Sequence, residues 1–217
     1  MNNNTDQLNQ ILATFFEGLR DILTNALTKE QAPVQKIVDE SLLSNRTLKE
    51  IVKHEGIVLE AYRDSKGIWT WGIGVTDRSG HRVGRYKDNP QTLTRVFEIF
   101  EWLLRTKYLP DVLEAFEGYS LKENELAAAL SFHYNTGAIK RATWVKTFLK
   151  GDRKLAKAQF MNWKSPPEIV PRRRAERDLF FDGKWSGGDK VTVYTKVNKP
   201  SYTPNWGSAK QIKIEGI

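Results

Sequence analysis

Residues 54–74 read His54-Glu55-Gly56-Ile57-Val58-Leu59-Glu60-Ala61-Tyr62-Arg63-Asp64-Ser65-Lys66-Gly67-Ile68-Trp69-Thr70-Trp71-Gly72-Ile73-Gly74. A glutamate closes an apolar stretch that includes Ile51 and Val52. An aspartate follows nine positions on, and a threonine six positions further sits among aromatic and β-branched residues. Glycines at 67, 72, 74, 80 and 84 break the region into short β-prone pieces, which predicts a small twisted hairpin or three-stranded sheet. Two carboxylates in unlike surroundings beside such a sheet mark the place where chemistry is expected.

Helical patterns flank this stretch. Apolar residues from Leu8 to Leu27 keep the three-and-four spacing of one helical stripe, closed by Pro33, and a weaker amphipathic stretch with Ile37, Val38, Leu42 and Leu43 leads to a boundary near Asn45. Downstream, Val96, Phe97, Phe100, Leu103 and Leu104 form a face ended by Pro110, and Ser120 with Glu123 reads as a capping box before Leu126. Further helices are expected at Trp144 to Leu149, ended by Gly151, at Leu155 to Trp163, and at Arg172 to Phe181, which follows Pro171 and ends at Gly183. Past Gly183, Val191, Val193, Thr195 and Val197 alternate with Thr192, Tyr194 and Lys196, which reads as a β-rich tail. The expected class is α+β, with a helical N-terminal extension over 1–47, a catalytic domain over 48–185 and a C-terminal extension over 186–217.

The 217 residues accommodate one ordinary domain with a full core and two appendages. With no cysteine, disulfides, thiolate metal sites and cysteine nucleophiles are excluded. The net charge of +8 is uneven: 1–48 carry 4 basic and 6 acidic groups, 49–182 carry 24 and 18, and 183–217 carry 6 and 2. Such a field raises encounter rates with polyanions, nucleic acid or a carboxylate- and phosphate-rich envelope alike. The start lacks a secretory signal and no apolar run reaches membrane-spanning length.

Cleaving a glycosidic bond needs a proton for the leaving oxygen and a second group to manage water or positive charge on the opposite face of the sugar. Partial desolvation of Glu55 favours its protonated form, whereas Arg63, Ser65 and Lys66 favour an ionised Asp64. Glu55 is the expected acid, Asp64 the expected base, and Thr70 can hold the water that Asp64 activates. An inverting reaction needs about 6.5–9.5 Å between the carboxyls. Gly72 and Gly74 would let a polysaccharide approach the strand backbone.

These residues resemble the Glu/Asp/Thr catalytic region of the phage-type lysozymes, the muramidases of tailed phages. Leu130-Ser131-Phe132-His133-Tyr134-Asn135-Thr136-Gly137 resembles the family's central helix and cleft-lining turn, and Arg172-Arg173-Arg174-Ala175-Glu176-Arg177 its arginine-rich late helix. The resemblance, over roughly 48–185, implies a small β lobe and a larger helical lobe with a cleft between them. It also implies hydrolysis of the β-1,4 bond from N-acetylmuramic acid to N-acetylglucosamine in peptidoglycan. By position Glu55, Asp64 and Thr70 take the catalytic roles, Tyr134 and Asn135 line the cleft, and Arg174 pairs with Glu55. The sequence has Val75 where many relatives carry a histidine, and the nearest is His81.

Two rivals stand beside hydrolysis: a lytic transglycosylase, which needs Glu55 but no activated water, and a virion structural protein that keeps a lysozyme-like scaffold. His133 reads as a packed histidine, and Trp102, Trp144, Trp163 and Trp185 as core anchors. The Arg172 to Arg174 cluster lacks a surrounding nucleic-acid module. Expected partners are therefore peptidoglycan glycan strands, with virion association or self-association through Leu8 to Leu27, and no nucleic acid, metal or cofactor. The expected location is the virion, or the host cytoplasm with delivery to the periplasm and cell wall.

Overall fold

The computed structural model describes residues 42–214. The stripe from Leu8 to Leu27 lies outside them. Helix α1 (Asn45–Lys53) starts where the Ser44 hydroxyl accepts the Thr47 amide at 3.1 Å, which satisfies one of the free N–H groups of the first turn. It buries Leu48, Ile51 and Val52, and the chain then turns through Gly56, at φ +53°, into β1 (Ile57–Arg63). β1 pairs antiparallel with β2 (Trp69–Gly72), which pairs with β3 (Val75–Thr76), as the glycine spacing predicts.

The tail completes this sheet. Strand β4 (Lys190–Tyr194) runs parallel to β1 on its other side and carries β7 (Ala209–Lys213), giving the order β3-β2-β1-β4-β7. Between β4 and β7, β5 (Val197–Asn198) and β6 (Thr203–Pro204) form a separate short hairpin. Alternation in the tail sequence arises because Val191 and Val193 are buried while Thr192 and Tyr194 are only partly covered.

Helix α2 (Leu93–Leu103) does not stop at Pro110. It continues through a single π turn, Leu104–Tyr108, into α3 (Leu109–Ala115). The wider turn resets the backbone ladder, so the N–H that Pro110 lacks falls in the first turn of α3, where no intrahelical partner is needed. The remaining helices are α4 (Glu123–Thr136), α5 (Thr143–Leu149), α6 (Arg153–Phe160) and α7 (Val170–Asp182). The capping box of α4 lies two residues beyond the expected pair: the Lys122 amide donates to Glu125 Oε2 at 3.1 Å. Glu123 instead accepts the Ser44 hydroxyl at 2.6 Å.

The helical core is aromatic. Phe132, Trp144, Phe160 and Phe180 are fully buried, and Trp144 meets Phe160 at 4.6 Å and Phe180 edge-on at 5.0 Å. Such pairs add about 0.5–1.5 kcal/mol each beyond the area they bury. Trp163 and Trp185 are half-buried, but Trp102 is 48% exposed and is no core anchor, because α2 turns that position outward beside His81. Among the described residues no helix is long and apolar enough to cross a membrane.

Candidate active site

Glu55 lies just past the end of α1, its amide bonded to the Val52 carbonyl at 3.0 Å. Its side chain points at three elements. Arg172 of α7 donates to Oε1 at 2.5 Å. A Cβ placed on Gly74 would stand 3.0 Å from Oε2. Tyr134 of α4 flanks the same space, with Cε1 at 3.8 Å from that Cβ position. The β2–β3 turn thus needs glycine at 74 to admit the carboxylate, and it uses the left-handed backbone at φ +67° to do so.

Asp64 begins the turn between β1 and β2. Its Oδ1 accepts the amides of Lys66 and Ile68, each at 2.8 Å, which leaves Oδ2 without a protein donor among the described residues. Two backbone donors on one oxygen fix the direction of the carboxyl group. Thr70, 4% exposed, donates its hydroxyl proton to the Ile68 carbonyl at 3.2 Å, so the oxygen lone pairs remain free to accept from a water.

Tyr62 sits opposite Thr70 in the β1–β2 register and feels both carboxylates. Burial first, then the negative charges of Glu55 and Asp64, hold its phenol well above the ordinary range. Burial and Glu55 act in the same direction on Tyr134 and, from the π turn, on Tyr108. Glu55 therefore has three half-buried phenols within electrostatic reach. Tyr62 stood inside the opening motif, but neither its role nor that of Tyr108 had a sequence signal beyond residue type.

Below Glu55 runs a buried ion network. Glu176 accepts from Ser131 Oγ at 2.6 Å and from Arg172 Nε at 2.8 Å, and its other oxygen bonds Arg173. Arg172 also donates to the Ser131 carbonyl at 3.1 Å. Burial opposes the charge on Arg172, yet Glu55 and Glu176 outweigh it and raise its pKa. Arg173 is fully buried, and burial prevails there, lowering its pKa despite Glu176.

Two expected assignments change. The partner of Glu55 is Arg172, not Arg174, because α7 places Arg172 and Glu176 one turn apart on the inner face and leaves Arg174 exposed. Gly72 is buried, and an added Cβ would press on Val96 at 3.2 Å, so it admits helix α2 rather than a ligand. Tyr134 reaches the cleft with its hydroxyl already donated to the Ile73 carbonyl, which ties α4 to the β2–β3 turn. Asn135 is exposed, accepts Arg173 Nη2 at 2.6 Å, and lines a groove of about 360 Å³ with Lys66, Trp163 and Ile169. His133 packs with Nε2 at 3.1 Å from Asp111, and His81 bonds Tyr86 Oη at 2.8 Å.

The phage lysozyme family profile matches residues 52–176, a span that holds Glu55, Asp64, Thr70, Asn135 and the Arg172–Glu176 network. The chain belongs to the phage lysozyme family. It is 30% identical over 147 residues to the endolysin of Salmonella phage P22, covering 64% of this chain and 97% of that protein. A solved structure of a P22 lysozyme mutant superposes with a TM-score of 0.53 at 28% identity, over 64% of this chain and 97% of that one. The endolysin of Escherichia coli O157:H7 phage FAHEc1 shares the fold at a TM-score of 0.57 and 24% identity, over 67% and 96%. As a phage lysozyme this is a peptidoglycan-lytic enzyme of α+β class.

In this lysozyme Gly74 is the position where the backbone meets the Glu55 carboxylate. Gly74→Ala is expected to cost about 1–2 kcal/mol from the left-handed backbone alone. The methyl would also displace Glu55, so lytic rate should fall by more than the loss of folded protein explains. Denaturant titration alongside turbidity clearing checks this, and a fully active variant would mean that Glu55 does not need its present position.

Proposed function

We propose that this chain hydrolyses the β-1,4 bond between N-acetylmuramic acid and N-acetylglucosamine, with inversion, using Glu55 as general acid and Asp64 with Thr70 to activate water. The supporting observation is the division of labour between the carboxyls. Glu55 lies among half-buried phenols with one oxygen on Arg172, whereas Asp64 is fixed by two backbone amides with its second oxygen unbound by protein among the described residues. A water accepting nothing from the committed Thr70 hydroxyl must donate to it, and its remaining proton then points to a base. Gly74 and Asn135 are assigned to substrate contact along the cleft, and Tyr134 to its wall. The cationic character of the chain favours encounter with an anionic envelope.

A transglycosylase would use the muramic acid hydroxyl in place of water and would need no Asp64–Thr70 pair. Mass spectrometry of digested sacculi separates the two: reducing muramic ends are expected, and anhydro ends without them would overturn the hydrolase reading. We assign the role of an endolysin, acting on the host wall, and leave the segment from Leu8 to Leu27 as the candidate for partner binding or virion association.

A further inference from the structure

Tyr202 and Asp88 are the two non-glycine residues with left-handed backbone among the described residues, at φ +56° and +55°. They are bonded to each other. The Tyr202 hydroxyl donates to the Asp88 carboxylate, with both oxygens within 3.0 Å. Left-handed backbone at a non-glycine residue is strained and persists only where surrounding contacts enforce it. Here the contacts form a circuit around the end of β1. Lys199 joins Asp88 to Glu60 of β1, whose Oε1 also accepts the Asp88 amide at 3.0 Å. The Tyr202 carbonyl accepts the amide of Arg63 at 2.7 Å, one residue before Asp64.

The ring of Tyr202 reaches the other side of the same turn. It meets Trp69 edge-on at 5.1 Å, and Trp69 is the register partner of Arg63. The Arg63 guanidinium lies 4.6 Å over Trp69 and donates to the Gly67 carbonyl at 2.8 Å inside the turn. Both ends of the 64–68 turn are thus fastened to one residue of the β5–β6 hairpin. That hairpin lies beyond the 52–176 span of the family match.

We propose that Tyr202 is a positioning residue that holds the Asp64 turn in its working geometry, so that the tail of this chain is part of its catalytic apparatus. The effect on rate rests on the reading of Asp64 as the water-activating group, and the effect on the turn does not. The alternative is that the hairpin merely covers the end of β1, in which case losing Tyr202 would loosen the sheet as a whole.

The test uses the full chain with Tyr202→Ala and Tyr202→Phe. Amide hydrogen exchange is read at Lys66 and Ile68, whose N–H groups bond Asp64, and kcat and KM are measured on solubilised glycan strands. Tyr202→Ala is expected to raise exchange at those two amides about tenfold or more relative to β4, and to lower kcat about tenfold with KM within about twofold. Both variants keep the backbone carbonyl that accepts the Arg63 amide; Tyr202→Phe keeps the ring against Trp69 as well and should retain most of the rate. Unchanged exchange at Lys66 and Ile68, or an equal rise across β1, β2 and β4, would overturn the proposal. Local exchange with unchanged kcat would uphold the anchoring of the turn and refute the role given to Asp64.

Discussion

Glu55→Gln is expected to reduce clearing of bacterial walls by about 10²–10⁴-fold, the usual contribution of a positioned acid, with little change in the unfolding midpoint. The amide has the shape of the carboxylic acid, and its oxygen still accepts from Arg172, which keeps Glu176 and the Ser131 carbonyl as further partners. What is lost is the proton that the leaving sugar oxygen requires. Arg172 holds one oxygen of Glu55, and Tyr62, Tyr108 and Tyr134 stand within electrostatic reach of the same carboxyl. Turbidity clearing with circular dichroism on the same samples is sufficient, and an unchanged rate would remove Glu55 from the mechanism.

The second large effect concerns stability. Glu176→Ala leaves Arg172, 7% exposed, and Arg173, fully buried, facing each other with their common carboxylate gone. Removing one partner from a buried ion network costs about 3–5 kcal/mol, because the remaining charges stay desolvated. At this chain length such a loss lowers the melting midpoint by roughly 10 °C. Glu176→Gln retains an acceptor for Ser131 and one arginine and should lose markedly less. Calorimetry or urea titration of the three proteins decides the matter. A loss under about 1 kcal/mol for the alanine variant would mean that the arginines find other partners.

The two effects separate chemistry from scaffold along one chain of contacts. Glu55, Arg172 and Glu176 are joined end to end, so activity and stability should couple in double variants of Glu55 and Glu176 more than in variants of distant sites.

The sequence disclosed the elements of the site better than their partners. The Glu55, Asp64 and Thr70 spacing placed all three around β1 and β2 because a tight turn between paired strands leaves little freedom over so short a stretch. The α+β class followed from the glycine-broken strands between helical stripes. Arg174 was misassigned because motif position fixes a helix but not its phase. The i,i+4 relation of Arg172 to Glu176, visible in the sequence, carries that phase. Gly72 was read as facing ligand because nothing local indicates that Val96 packs against it. The tail was legible as β-structure, but its strand partner was not: pairing of Ile57 with Val193 joins segments with the whole helical lobe between them, and no local pattern encodes that.

That pairing also orders events in time. During synthesis β1 leaves the ribosome early and β4 only after every helix of the larger lobe, so one flank of β1 offers unpaired N–H and C=O groups until the last part of the chain arrives. A nascent polypeptide that stops short of β4 therefore carries Glu55 and Asp64 beside an unfinished sheet.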